Sequence, residues 1–178
     1  MLDWISEFTH LLASIVPRLV VVRETHSGVI FRRGIAKRAG PGMHIYWPVT
    51  SECIQICTVR QSLNLSYQSL ITADGAAIVV AAVVVYRVED ALLALTGTDC
   101  VADTIHDVSM SAIRRAVNSC TFAEVQKNAN AKGNSLDAML RKRLQADLST
   151  YGVAIDRAFL SDLSKPIILR HLGDPQST

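Results

Sequence analysis

From residue 18 to about residue 88, short runs rich in β-branched and apolar residues are separated by turn-forming residues, a pattern that predicts β-strands. Segments 18–24 and 29–33 are β-branched runs separated by a polar turn, which predicts a hairpin between them. Segments 53–62 and 63–71 continue the strand pattern. The turn at Ala73-Asp74-Gly75 leads into a further strand, so the first half is predicted to be rich in antiparallel sheet.

Segment 76–88 differs from the other predicted strands because both of its faces are apolar. The two faces carry Ile78, Val80, Ala82, Val84 and Tyr86 on one side and Val79, Ala81, Val83 and Val85 on the other. A strand of this kind is typical of a sheet that is buried on both sides. We therefore expect a helix or a neighbouring subunit to cover the face that the domain's own core leaves open.

The second half of the chain is predicted to be mainly helical. Asp90 and Asp99 precede two apolar stripes with helical spacing, where N-cap residues are expected. Thr121 and Glu124 have the spacing of a capping box at the start of a third helix. Strands followed by helices predict an α+β fold rather than a doubly wound one.

The last predicted helix carries a row of leucines at every fourth position. They are Leu136, Leu140, Leu144 and Leu148. Asp137 and Arg141 are spaced to pair on its solvent side, and Gly152 is expected to end the helix before a returning strand at 153–163. Together with the two-sided strand at 76–88, the leucine row favours a homo-oligomer.

The first 17 residues predict an amphipathic helix rather than a membrane span. Glu7, His10 and Pro17 interrupt the apolar run that a spanning helix needs, and the start of the chain lacks the pattern of a secretion signal. The apolar residues recur at helical spacing and are candidates for membrane or subunit contact: Leu2, Trp4, Ile5, Phe8, Leu11, Leu12 and Ile15. Whether this face meets lipid or protein stays open from the sequence.

Composition indicates a folded domain with a locally basic surface. The chain has 178 residues, 49% of them hydrophobic, and a formal net charge of +2, which argues against disorder and against a nucleic-acid binder. Between residues 18 and 60, seven Lys and Arg stand against two acidic residues. Candidates for contact with an anionic surface are Arg32, Arg33, Lys37 and Arg38. The alternative for these four is a solvated hairpin.

A turn-forming segment in the basic region is a candidate interface. Gly40-Pro41-Gly42 predicts a chain reversal, because glycine permits positive φ and proline fixes a turn. Trp47 precedes Pro48 at the expected edge of a strand, since proline cannot donate a ladder hydrogen bond. We expect this segment to serve backbone geometry and a partner contact, and not a ligand pocket.

Catalytic and metal-binding patterns are absent from the sequence. The four cysteines are expected to be reduced thiols: Cys53, Cys57, Cys100 and Cys120. The five histidines are scattered, without the paired spacing of a zinc site. No nucleophile motif or phosphate-binding loop is present. The sequence therefore predicts no enzyme activity, no metal, no cofactor and no small-molecule substrate.

Five short stretches follow one another at a characteristic spacing: Gly28-Val-Ile-Phe-Arg-Arg-Gly34, Gly40-Pro-Gly-Met-His-Ile-Tyr-Trp-Pro48, Ile71-Thr-Ala-Asp-Gly75 leading into Val83-Val-Val-Tyr-Arg-Val-Glu-Asp90, Ser111-Ala-Ile-Arg-Arg115 and Tyr151-Gly-Val-Ala-Ile155. In order and spacing they resemble the band-7 domain, also called the SPFH domain, that stomatins, prohibitins and flotillins share. The resemblance covers nearly the whole chain. With the amphipathic helix predicted at 1–17, the resemblance implies a band-7 domain at 18–165. The short tail at 166–178 departs from the family, whose members usually continue there into a coiled coil.

The same resemblance implies a function without chemistry. Members of the family are oligomeric scaffolds, built into rings or cages, that organise lipids or membrane proteins on the cytoplasmic side of a membrane. The alternative is a ring-forming structural subunit of a viral or phage particle, part of a virion and without lipid. Both alternatives imply a homo-oligomer and no nucleic-acid partner.

Overall fold

The computed structural model describes residues 16–130 and 135–165 of the chain. Within these ranges the strands are β1 (Arg18–Val22), β2 (His26–Arg32), β3 (Ile35–Ala39), β4 (Gly42–Tyr46), β5 (Ser51–Cys57), β6 (Gln61–Ile71), β7 (Ala77–Val88) and β8 (Val153–Ser164). The α-helices are α1 (Ala91–Gly97), α2 (Val101–Asn118), α3 (Phe122–Asn130) and α4 (Ser135–Leu148). The predicted α+β fold, with strands first, then helices and a returning strand, is confirmed. The predicted helix at 1–17, apart from its last two residues, and the tail at 166–178 lie outside the described residues.

The strands of the first half pair differently from the prediction. β1 pairs antiparallel with β4, whereas β2 lies between β3 and β5. The predicted hairpin between 18–24 and 29–33 is therefore wrong. Gly28 contributes to this arrangement, because a Cβ placed on it would make a tight contact with Val22 Cγ2, at 3.2 Å. Without that Cβ, the end of β1 crosses over the face of β2 instead of lying beside it.

The second half is built on an antiparallel sheet in the order β6-β7-β8. Helices α2 and α4 cover one face of this sheet and bury the apolar side of β7. The predicted leucine row of α4 is fully buried in this core, so it does not supply a subunit contact. Helix α1 packs against β2 and β3 and thereby joins the two halves of the chain.

The ends of the helices show which capping predictions hold. The carboxylate of Asp90 accepts hydrogen bonds from the backbone N–H groups of Leu92 (2.9 Å) and Leu93 (3.3 Å), so the predicted cap of α1 is confirmed. The capping box is also confirmed, because Thr121 N–H donates to Glu124 Oε2 at 2.9 Å. The predicted cap at Asp99 is wrong, since α2 begins one residue later and Cys100 occupies the cap position without a side-chain bond.

Two expectations about α4 also have clear outcomes. Gly152 ends the helical segment in the left-handed conformation, with φ of 67°, as expected. The predicted Asp137–Arg141 pair does not form, because Arg141 Nε donates to the carbonyl oxygen of Ile155 in β8 at 3.2 Å. The guanidinium therefore ties α4 to the sheet instead of lying along the helix surface.

The second face of β7 is only partly covered within the chain. Ile78, Val80 and Val84 are buried on the helix side, whereas Val79, Val83 and Val85 on the opposite side are half-buried. The register places Phe159 of β8 beside Val83. We call Val79, Val83, Val85 and Phe159 the outer face of the sheet. Helices therefore provide the expected burial on one side of β7. On the other side, the outer face is only half-buried within the chain, and what covers it is not explained by the fold.

Candidate interaction surface

The pairing of β1 with β4 brings four large apolar side chains to one exposed face. Leu19 lies opposite Ile45 and Val21 lies opposite Met43. Their exposed fractions are 57% for Leu19 and Val21 and 68% for Met43 and Ile45. We call these four residues the ribbon patch. A two-stranded ribbon with an uncovered apolar face is marginally stable in water, so the ribbon patch is the strongest candidate for a partner contact among the described residues.

Further apolar side chains extend the ribbon patch at one end. Arg18 pairs with Tyr46, so Val16, two residues before β1, and Trp47, directly after β4, leave the ribbon at the same end. Val16, Trp47 and Val49 are all exposed. This is also the end at which residues 1–15 join the chain. The predicted contact residues of that segment, Leu2, Trp4, Ile5, Phe8, Leu11, Leu12 and Ile15, lie outside the described residues.

The residues of the predicted interface turn are divided between the two ends of the ribbon: Gly40, Pro41 and Gly42 lie at the end where Val22 pairs with Gly42, and Trp47 and Pro48 follow Tyr46 at the other end. Gly42 begins β4 with φ of 133°, a conformation that L side chains rarely adopt. Gly40 accepts a hydrogen bond on its carbonyl oxygen, because His44 Nε2 lies 2.7 Å away. Pro41 is exposed and Pro48 is half-buried in the turn after β4. The Trp47 carbonyl oxygen accepts hydrogen bonds from Thr50 N–H (3.1 Å) and Ser51 N–H (2.8 Å), which fixes that turn while the indole stays exposed.

The four candidate basic residues do not share one surface. Register places Arg32 opposite Ile35 and Lys37 opposite Ile30, so these two basic side chains lie on the same face of the β3-β2-β5 sheet. Arg38 lies on the opposite face, where its guanidinium is 2.6 Å from the Asp90 carboxylate. Arg33 sits in the turn between β2 and β3 with φ of 49°. Because successive side chains of a strand point to opposite faces, Lys37 and Arg38 lie on opposite faces of the sheet although they are neighbours in the sequence.

Sequence reasoning missed the ribbon patch as a unit. The apolar positions were visible in the sequence, and Leu19, Val21, Met43 and Ile45 follow the period of two that marks one strand face. What the sequence did not give was the pairing of β1 with β4, because the short loop between β1 and β2 favours a local hairpin. The signal that could have found the pairing is that both segments place large apolar residues at every second position, so that each has one apolar face that needs a partner.

Other chemistry-bearing groups do not gather into a site. All four cysteines are free thiols, and partial burial raises the pKa of Cys53. Within the described ranges, no three His, Cys, Asp or Glu side chains come together to hold a metal ion. An open cleft of about 400 Å³ lies between α3 and β8, lined by Phe122, Gln126, Leu160, Ser161, Asp162, Leu163 and Lys165. Lys165 Nζ lies 5.7 Å from the centre of the Phe122 ring at the side of this cleft.

The described helices are shorter or more polar than a membrane-spanning helix. A spanning helix needs about 20 mainly apolar residues. In the described part of the chain, no helix combines the length and the apolar character needed to cross a membrane.

Three antiparallel sheets, one of them the exposed β1–β4 ribbon, and the helices that cover the β6-β7-β8 sheet make up a mixed α+β domain. Residues 20–172 match the family model described as SPFH domain / Band 7 family. The chain belongs to the SPFH domain / Band 7 family, and the resemblance found in the sequence is confirmed.

The sequence identities to individual relatives are low. The chain is 26% identical over 153 residues to an uncharacterized protein of Methanocaldococcus jannaschii, covering 85% of this chain and 75% of that protein. It is 22% identical over 157 residues to a stomatin homolog of Pyrococcus horikoshii, covering 88% and 58%, and 22% identical over 153 residues to stomatin of Mus musculus, covering 84% and 52%. The chain thus spans about half the length of the stomatins that it matches.

Proposed function

We propose that this domain is an oligomeric, non-enzymatic scaffold that lies against the cytoplasmic face of a membrane and organises lipids or membrane proteins there. The ribbon patch is the observation that carries the proposal. Stomatin-like proteins of the SPFH family are generally membrane-associated scaffolds, and membership of the family supports the same role here.

The ribbon patch is large enough to matter energetically. Full burial of a Val, Leu, Ile or Met side chain is worth about 1.5–3 kcal/mol. Four such side chains on one ribbon face therefore offer several kcal/mol to any apolar surface that covers them. Trp47 at the end of the ribbon suits the level of lipid headgroups, because an indole has an apolar body and a polar N–H group.

Local charge favours an anionic surface. Between residues 16 and 50 the sequence has six Lys and Arg and a single acidic residue, Glu24. Each basic residue near an anionic membrane contributes about 1 kcal/mol, and the effect decays within a Debye length. Arg32 and Lys37, which share an exposed face, are the best placed of the four candidates. Arg38 contributes less because it is paired with Asp90.

The test is sedimentation with phosphatidylcholine vesicles prepared with and without phosphatidylserine. A Leu19→Ser/Ile45→Ser variant removes one opposed pair of the ribbon patch. We expect its partition coefficient on anionic vesicles to fall at least tenfold, because about 1.4 kcal/mol corresponds to tenfold in an equilibrium constant. A Val59→Ser/Leu93→Ser variant is the control, since both side chains are also exposed apolar residues (45% and 46%) but lie outside the ribbon patch.

Mass measurement on the same samples separates membrane contact from assembly. Unchanged vesicle binding with a smaller oligomer would contradict the membrane role and favour a structural particle subunit in which the ribbon patch meets protein. Equal losses in the control variant would remove the special role of the ribbon patch. A further variant, with Leu2, Ile5, Phe8 and Leu12 replaced by Ser, measures what the N-terminal segment adds.

A further inference from the structure

The outer face of the β6-β7-β8 sheet is a second apolar surface that membrane contact through the ribbon patch does not use. Val79, Val83 and Val85 form a column along β7, and Phe159 lies beside Val83. On the β6 side, the register places Asn64 beside Val83 and Ser62 beside Val85. An apolar column framed by polar residues has the composition of a protein interface with an apolar centre and a polar rim.

The helix layer of a neighbouring copy is a poor partner for this face. In the described part of α2 and α4, no large apolar side chain is exposed. Their exposed positions are polar or charged or are alanines, as at Asp103, Arg114, Ala138 and Lys142. Packing the outer face against them would bury charges without partners, which is costly. A second outer face offers matching apolar side chains instead.

Charges on β8 make the outer face complementary to itself. Arg157 lies opposite Val85 and Asp162 lies opposite Ala81, so the two charges stand at equal distances along β7 from Val83. Both side chains are exposed, and neither has an ion-pair partner among the residues that the structure describes. Asp162 also borders the cleft next to α3.

From this arrangement we infer that the outer faces of two copies pack against each other about a twofold axis near Val83. The inference deepens the proposed function, since it names one of the contacts by which the scaffold assembles. A twofold axis across the strands sets the two β8 strands antiparallel, so Arg157 of each copy faces Asp162 of the other. Phe159 of one copy then lies close to Phe159 of the second copy, at the centre of the contact.

The size of the sheet sets how strong this contact is. A 12-residue strand such as β7 is roughly 40 Å long, and three strands are roughly 14 Å across. Two such faces together present on the order of 1,100 Å² of planar area, at the lower end of specific interfaces. The contact is therefore weak in solution and strengthened when other contacts, such as a shared membrane, bring copies together.

Exchange of the two charges tests the pairing directly. In an Arg157→Asp variant, two copies place Asp opposite Asp162, and in an Asp162→Arg variant they place Arg opposite Arg157. We expect each variant alone to raise the dissociation constant measured by analytical ultracentrifugation at least tenfold. An equimolar mixture of the two variants pairs Asp with Arg at both positions and is expected to recover association. Lys142→Asp and Asp107→Arg make the same charge changes on the helix layer and serve as controls.

Each outcome bears on either the inference or the proposed function. Assembly of both single variants like the wild type would overturn the inference while leaving an oligomeric scaffold intact. Loss of assembly in both variants without recovery on mixing would overturn the twofold arrangement and favour packing of the outer face on the ribbon patch of a neighbour. A wild type that remains at the 19.4 kDa of one chain at all concentrations would overturn both. Vesicle binding that changes while the mass does not would assign the outer face to lipid.

Discussion

Gly152 and Asp90 approach each other so closely that a Cβ on Gly152 would lie 2.6 Å from the Asp90 carbonyl oxygen. The Gly152 carbonyl oxygen also accepts hydrogen bonds from the backbone N–H groups of Glu89 (2.9 Å) and Asp90 (3.1 Å). Asp90 in turn caps α1 and pairs with Arg38 of β3. The end of the helical half, the start of α1 and the β3-β2-β5 sheet therefore meet at one joint, which holds that sheet against the helical half.

Alanine substitution at three glycines separates backbone strain from steric contact. Gly152→Ala combines a left-handed φ with the clash against Asp90 and is expected to lower the free energy of unfolding by more than about 2 kcal/mol. Gly75→Ala has a left-handed φ of 78° in open space, so a loss of about 1 kcal/mol is expected. Gly40→Ala has neither feature and should change little. Urea unfolding ranks the three, and an equal loss at all three positions would contradict the steric role of Asp90.

A related prediction concerns the stability of the turn before β4. Gly42 has φ of 133°, so Gly42→Val is expected to lower the free energy of unfolding by more than roughly 1 kcal/mol, because a β-branched side chain does not adopt this conformation without strain. Gly40→Val is the matched control in the same turn. A Gly42→Val protein as stable as the wild type would show that the ribbon tolerates a different turn.

A second prediction concerns acid stability at the turn between β6 and β7. The Thr72 hydroxyl group donates to the Asp74 carboxylate, and Phe122 N–H at the start of α3 donates to both of its oxygens at 3.2 Å. These bonds, with that of Thr72 the largest cause, outweigh desolvation and hold the pKa of Asp74 below 3.8. A lowered pKa in the folded state stabilises the fold above the unfolded-state pKa, and this stabilisation is lost as the pH falls through the folded-state value.

The unfolding free energy of the wild type should therefore fall between about pH 5 and pH 2. Asp74→Asn removes this titration and is expected to give a shallower decline over the same range. Glu52→Gln, which changes an exposed carboxylate on β5, is the matched control. Parallel curves for Asp74→Asn and the wild type in urea titrations would exclude Asp74 as a source of acid sensitivity.

A third prediction distinguishes two neighbouring basic residues. Lys37→Glu reverses a charge on the face shared with Arg32 and is expected to weaken binding to anionic vesicles several-fold, with the difference shrinking at high salt. Arg38→Glu instead places a carboxylate next to Asp90. It should therefore lower the melting temperature more than Lys37→Glu does, and weaken vesicle binding less than Lys37→Glu does. The reverse ranking would mean that the β2–β3 hairpin presents its other face to the membrane.

How much of this could be read from the sequence depended on the range of the interactions. The caps at Asp90 and Thr121 and the end of the helical segment at Gly152 are set by residues close in sequence, and local patterns predicted them. The leucine row predicted a helix, but its burial within the domain rather than at a subunit contact depends on the sheet that it covers. The β1–β4 pairing joins positions 20 to 28 residues apart and is helped by the close approach of Val22 to Gly28, which has no Cβ; no local pattern reveals either. The ribbon patch, the split between Lys37 and Arg38, and the outer face all follow from long-range pairing.

The last prediction concerns Trp47, which follows β4 and is 47% exposed. Because about half of the side chain already contacts solvent, Trp47→Ala should lower the free energy of unfolding of the monomer by less than about 1 kcal/mol. The same substitution should weaken vesicle binding or assembly, since the exposed indole stands beside the ribbon patch and suits a partner surface. Trp47→Phe keeps an aromatic ring and is expected to retain most of the association. Measuring unfolding, sedimentation with vesicles and mass on the same Trp47→Ala sample decides the assignment: a large loss of stability with unchanged association would place Trp47 in the structural core of the ribbon and take it out of the interface.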